Sequence, residues 1–158
     1  MAERIRKPSF RTLLGAFLRV LVSGIFLSAG ILKLKDADGT LVAVYQYKLL
    51  SWEASGIVAT FLPFLEITAG VALWIPRVRL GASLLSMCLT LIFMAALGSA
   101  LARNLDVSCG CFGTTDLLTT SGVRLAQDAV LLLTCGALWR YERSKYSSML
   151  HSDEESGY

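Results

Sequence analysis

The sequence predicts an all-α fold: a bundle of four transmembrane helices, with a short interfacial helix between the first and second. Three observations carry this reading. Hydrophobic residues make up 54% of the 158 positions and charged residues 17%, against about 25% charged in an ordinary soluble domain. Mean hydropathy is +0.59. Four apolar stretches, residues 12–32, 55–75, 80–102 and 122–141, each approach the ~20 residues that cross a hydrocarbon core. None carries the regular polar stripe that a helix on the surface of a soluble protein turns towards water. A chain of this length forms one domain, and its composition excludes a disordered protein, a nucleic-acid-binding module and a disulfide-dense secreted scaffold.

The elements follow in order. Residues 1–11 form a basic cytoplasmic N-terminus with Arg4, Arg6, Lys7 and Arg11. The first apolar stretch is too long for a signal-peptide core, is interrupted by Arg19 and is followed by no A-x-A site, so it is expected to be retained as a helix. Asp36-Ala37-Asp38-Gly39 is a turn signal. Residues 40–52 mix aliphatic side chains with Tyr45, Tyr47, Lys48 and Trp52, a composition that settles at the headgroup level and otherwise reads as a plain connecting loop. Pro63 should kink the second membrane helix just outside Glu66. Gly24 with Ser28, and Gly98 with Ala102, make small-xxx-small pairs suited to close helix approach. The four-helix membrane domain spans 12–141, and residues 142–158 read as a disordered cytoplasmic tail.

Orientation follows from the basic residues. With both termini inside, Arg4, Arg6, Lys7, Arg11, Arg77, Arg79, Arg140, Arg143 and Lys145 face the cytoplasm, while Lys33, Lys35, Lys48, Arg103 and Arg124 face outward. Cytoplasmic flanks carry the excess of Lys and Arg, so the N-in, C-in arrangement is preferred. It places the 103–121 loop outside.

That loop holds Cys109-Gly110-Cys111-Phe112-Gly113. Consecutive Cα atoms are about 3.8 Å apart, so a fully extended i,i+2 pair lies near the ~7 Å limit for bridging. The chain must bend to join the sulfurs, and Gly110 permits the bend. A disulfide closing so small a ring is strained and readily reduced, whereas a structural staple gains most from a long loop. Redox exchange is therefore the preferred chemistry. Two readings compete: Cu(I) held by the two thiolates, and a scaffold whose cysteines are merely structural. Zinc needs two further ligands, and His151 lies in the opposite tail.

At this point the residues resemble a known family. Arg19-x4-Gly24-x5-Gly30-x2-Lys33-Leu34, Tyr47-x-Leu49-Leu50, Leu65-Glu66-x3-Gly70, Cys109-Gly110-Cys111-Phe112-Gly113 and Asp128 occur in order over residues 12–141. Together they resemble the MauE/DoxX family of small redox-associated membrane proteins. The Cys-Gly-Cys-Phe-Gly element ahead of the last helix points to the MauE branch. The resemblance implies a protein of the bacterial plasma membrane that supports disulfide formation or maturation of an exported protein, as in methylamine metabolism, with an exported thioredoxin-like partner. It implies Cys109 and Cys111 as the reacting pair, with Gly110, Phe112, Gly113 and Asp128 in support. One departure is that Gln127, not an Arg, directly precedes Asp128, and Arg124 stands one turn earlier.

Three ionisable residues fall inside the predicted spans, where a charge costs at least about 2.5–3.5 kcal/mol. At ~1.5 Å per residue, Arg19 and Glu66 lie about 20 Å and 17 Å below the outer ends of their helices, so an intramembrane Arg19–Glu66 ion pair is expected. Asp128 lies only about 9 Å deep. It can pair with Arg124 or Lys33, or relay protons to the cysteines. Cys88 and Cys135 share a depth near 20 Å on consecutive helices and offer a second thiol pair, although buried free Cys more often serves as a small hydrophobe. Exchange between the two pairs would require a quinone or a large motion.

Overall fold

The computed structural model describes residues 10–103 and 121–155, and the side chains of residues 12–103 and 125–147. Five helices follow one another: α1 (Phe10–Lys35), α2 (Ala37–Gln46), α3 (Trp52–Ala72), α4 (Arg79–Ala102) and α5 (Ser121–Glu155). The fold is all-α, with no strand among the described residues. Three helices are long and apolar enough to cross a membrane: Thr12–Lys35, Trp52–Ala72 and Arg79–Ala102. The fourth expected span falls within α5, which carries Arg124, Asp128, Arg140 and Glu142 among its apolar residues and is not one of those three.

The bundle is built in the manner of membrane proteins, with small and polar residues inside and large apolar ones outside. Ser23, Ser55, Ser83, Ser86 and Thr90 are buried, while Phe17, Ile57, Phe61 and Ile92 are each over half exposed. Lipid tails are as apolar as leucine, so helices associate through close packing and hydrogen bonds rather than through burial of apolar surface. Ser86 and Thr90 return their hydroxyl hydrogens to their own helix, donating to Ala82 O and Ser86 O at 2.9 Å each. The core joins Val22 and Phe26 of α1, Ala69 of α3 and the adjacent Leu73, Ala82 and Leu89 of α4, and Cys135 and Leu138 of α5.

Two sequence expectations change at the ends of elements. Asp36-Ala37-Asp38-Gly39 is no free turn: Asp36 caps α2, its carboxylate accepting from the Gly39 amide at 3.0 Å. The turn signal was therefore a helix start, since Asp is among the strongest N-caps. At the other end, α5 does not stop at 141 but continues to Glu155, so residues 142–155 are helical where a disordered tail was expected. Glu142, buried at 5% exposure, is tied to α1 and extends the packed part of the helix.

The register of α1 against α3 decides which charges meet. Ser23 Oγ donates to the Gly70 carbonyl at 2.9 Å, and the Trp74 indole N–H donates to Ser23 Oγ at 2.9 Å. A Cβ on Gly30 would lie 2.7 Å from Ile67 Cγ1 and 2.9 Å from the Pro63 carbonyl. Residue 30 of α1 thus sits beside 63–67 of α3, and residue 23 beside 70–74. α3 runs unbroken through the buried Pro63, and its first turns extend past the end of α1 to pack on α2.

This contact gives the first prediction. Gly30→Ala should lower stability in detergent by about 1–3 kcal/mol, the cost of overpacking a filled site. Gly81→Ala has nothing within 4 Å of its new methyl group and should leave stability unchanged or raise it by up to about 1 kcal/mol, the helix preference of Ala over Gly. Thermal melts of both variants, followed by helical signal, check the contrast.

Candidate functional site

The chemistry in the described part of the chain centres on Lys33 and Glu66. Lys33 Nζ donates to Glu66 Oε1 at 2.5 Å, and the two side chains are 4% and 2% exposed. Glu66 is placed by α3, one helical turn beyond Pro63, against the close approach at Gly30. Lys33, expected on the outward side just past the first span, folds inward near the end of α1, its ammonium 5.0 Å from the centre of the Phe93 ring. Thr40 of α2 covers the same region, donating to Asp36 O at 2.8 Å and sharing its hydroxyl with Lys33 O at 3.3 Å.

The expected Arg19–Glu66 pair is therefore replaced by two others. Arg19 Nη2 donates to Glu142 Oε1, and Glu66 takes Lys33. Matched depth failed as a guide because it counted from helix ends that are not level. α3 begins beyond the level at which α1 ends, so Glu66 lies beside Gly30 and Arg19 lies beyond Trp74, near the opposite end of the bundle. Sequence reasoning missed Glu142 because the helix was ended at residue 141. The usable signal was Arg19 itself, which needed a counter-charge at its own level.

Asp128 of α5 joins the first pair. A cavity of about 50 Å³ is lined by Lys33, Glu66, Thr90 and Asp128, with Phe26, Phe93 and Leu131 among its apolar walls. Of the two partners expected for Asp128, Lys33 shares this cavity; the side chain of Arg124 lies outside the described ones. A second cavity of about 30 Å³ lies on the α2 side of Lys33 and Phe93 and reaches Thr40 and Tyr47. A benzene ring needs a cavity near ~150 Å³. These two spaces thus fit water and not a quinone ring.

The second thiol pair is not assembled. Cys88 is exposed on the outer face of α4, whereas Cys135 is fully buried with its sulfur 4.0 Å from Thr90 Oγ1. Equal depth on neighbouring helices left their azimuths open, and those azimuths point apart. Cys109, Gly110, Cys111, Phe112 and Gly113 lie in 104–120, outside the described residues. The segment departs from a fixed point, however. Arg103, at the end of α4, donates through Nη2 to Tyr47 O at 2.5 Å and through Nη1 to Lys48 O at 3.3 Å, fastening α4 to the turn between α2 and α3. That turn includes Lys48 at φ 50, a left-handed conformation. Among the described residues, no group of three or more His, Cys, Asp or Glu is placed to hold a metal ion.

Apolar exteriors, small-residue interfaces and a lysine–carboxylate pair sealed inside the bundle define a multi-helix membrane protein with buried ionisable groups. The family model "Methylamine utilisation protein MauE" matches residues 11–141. The chain belongs to the MauE family. It is similar to the methylamine utilization protein MauE of Paracoccus denitrificans, 30% identical over 96 residues that make up 60% of this chain and 52% of the relative. It is also similar to the protein of that name from Methylophilus methylotrophus, 31% identical over 96 residues, 60% of this chain and 50% of the relative. The chain spans about half the length of the curated relatives it matches. No solved structure matches it.

The pairings yield the second prediction. Removing one partner of a buried ion pair strands the other charge and costs about 3–5 kcal/mol, whereas removing both costs far less. Lys33→Met with Glu66→Leu, and Arg19→Leu with Glu142→Leu, should each show a double variant that recovers folded yield over the worse single change. Arg19→Leu with Glu66→Leu should be additive. Size-exclusion yields of the single and double variants check all three combinations.

Proposed function

We propose that this protein is a membrane thiol–disulfide exchange component, with Cys109 and Cys111 as the reacting pair on the outer side of a bacterial plasma membrane. The observation that carries this reading is the Cys-Gly-Cys-Phe-Gly element between α4 and α5 in a chain of the MauE family. α5 acts as a fourth span, with both termini inside. In support, Cys135 and Leu138 are buried in the shared core, while Val130 and Leu133 turn large apolar surfaces outward, as a lipid-facing helix does. The excess of Lys and Arg on the proposed cytoplasmic flanks agrees.

In the exchange, one loop cysteine attacks a partner disulfide as its thiolate, forming a mixed disulfide and releasing a partner thiolate that takes up a proton. The second loop cysteine loses its proton, displaces the partner's remaining sulfur and closes the loop disulfide. Two electrons pass from loop to partner, and the reverse sequence oxidises the partner. Gly110 keeps the second sulfur within reach of the first. The partner is an exported thioredoxin-like protein. The relatives' names support a role in methylamine utilisation, in the maturation of an exported methylamine dehydrogenase-like protein.

Two measurements test this reading. A membrane-impermeant thiol reagent added to reduced intact cells should label Cys109 or Cys111; labelling only after lysis would overturn the orientation. Cys109→Ser and Cys111→Ser should differ on non-reducing gels, the variant lacking the resolving thiol retaining a reducible adduct with the exported partner. If neither traps an adduct and both keep full function, the loop is a structural or Cu(I)-binding element and the exchange reading fails.

A further inference from the structure

We infer that the cavity between α1, α3, α4 and α5 is a hydration site through which the buried Glu66 carboxyl exchanges protons. The inference is independent of the thiol chemistry. Glu66 is 1% exposed and Oε1 is taken by Lys33, but Oε2 is buried with no hydrogen-bond partner. An unsatisfied buried acceptor is costly, more so when charged. Glu66 also lines a cavity of about 50 Å³, room for one or two waters at ~30 Å³ each. A buried water settles where two to four polar groups meet it. Lys33, Glu66, Thr90 and Asp128 line this one, and Thr90 Oγ1, which donates to Ser86 O, keeps lone pairs to accept. A purely apolar cavity stays dry, and this one is not purely apolar.

The ionisable groups lining this cavity with Glu66 are Lys33 on α1 and Asp128 on α5; Tyr47, which caps the end of α2, lines the second cavity, beyond Lys33 and Phe93. α4 contributes Thr90 and Phe93, neither of which titrates in the ordinary range. Water at Oε2 therefore gives Glu66 a route for its proton that does not break the Lys33 contact. The second cavity lies on the other side of Lys33 and Phe93 and is lined by Tyr47, whose carbonyl Arg103 binds.

The test uses the full chain reconstituted in phosphatidylcholine vesicles and followed by infrared difference spectroscopy. Beside the bands of the exposed carboxyls, acidification should produce one further carboxylic C=O band that shifts on transfer to D₂O and is missing from the Glu66→Gln spectrum. Ala29→Val, which adds carbon to a cavity wall and leaves every carboxyl in place, should slow the D₂O shift at least tenfold. This second variant keeps the test decisive if Glu66→Gln does not fold. Three results overturn the inference: native and Glu66→Gln spectra with identical acid-induced carboxyl bands, a Glu66-specific band that does not shift in D₂O, or exchange of that band in Ala29→Val as fast as in the native chain.

Discussion

A lysine and a glutamate buried inside the bundle govern the architecture around them. Each charge alone at membrane depth costs at least about 2.5–3.5 kcal/mol, so neither is tolerated unless the other is held beside it. Holding them together fixes how α1 and α3 slide past one another. The glycine at 30 allows the close approach, Ser23 and Gly70 pin the same register one helical repeat inward, and Phe93 of α4 closes over the ammonium. The short helix α2 then covers the lysine from the outside through Thr40.

The second ion pair does the same work at the other end. Arg19 and Glu142 join α1 to α5 where the two helices pack closely, with the Tyr141 ring occupying the space that a side chain at Gly15 would need. Two pairs at opposite ends of one helix bundle determine rotation and register more firmly than apolar contacts, because a slip by one residue would strand a charge. Leucines facing lipid impose no such penalty. This explains why the few charged residues inside the spans matter more to the fold than the many apolar ones around them.

The end of α4, from which the 104–120 segment departs, and the buried acids are linked through the same packed residues. Arg103 fastens the end of α4 to the α2–α3 turn, and the second cavity lies beneath that turn, against Lys33 and Phe93. In the proposed reading, electrons stay in the outer loop while the bundle below provides a rigid base and a protonatable group. The two cavities among the described residues, about 50 and 30 Å³, are smaller than the ~150 Å³ that a benzene ring fills.

Much of this was legible from residues alone. Composition and the lengths of the apolar stretches determine a helical membrane protein, because only a helix or a closed barrel satisfies its backbone in hydrocarbon. The Cys109-Gly110-Cys111 spacing makes these cysteines the candidate pair in sequence, and the described residues do not include them. Arg19, Glu66 and Asp128 announced buried partners by being charged where charge is costly. Which partners they take was decided only by tertiary structure. Depth counted along a helix assumes level ends, whereas α3 overhangs α1 and moves Glu66 away from Arg19. Azimuth is likewise invisible in a stretch apolar on all sides, so Cys88 and Cys135 share a depth yet face apart. A helix boundary set by hydropathy ended at 141 and concealed Glu142, because helix propensity continues past the last apolar residue. Sequence determined which groups had to be paired; the stagger and rotation of the helices determined with whom.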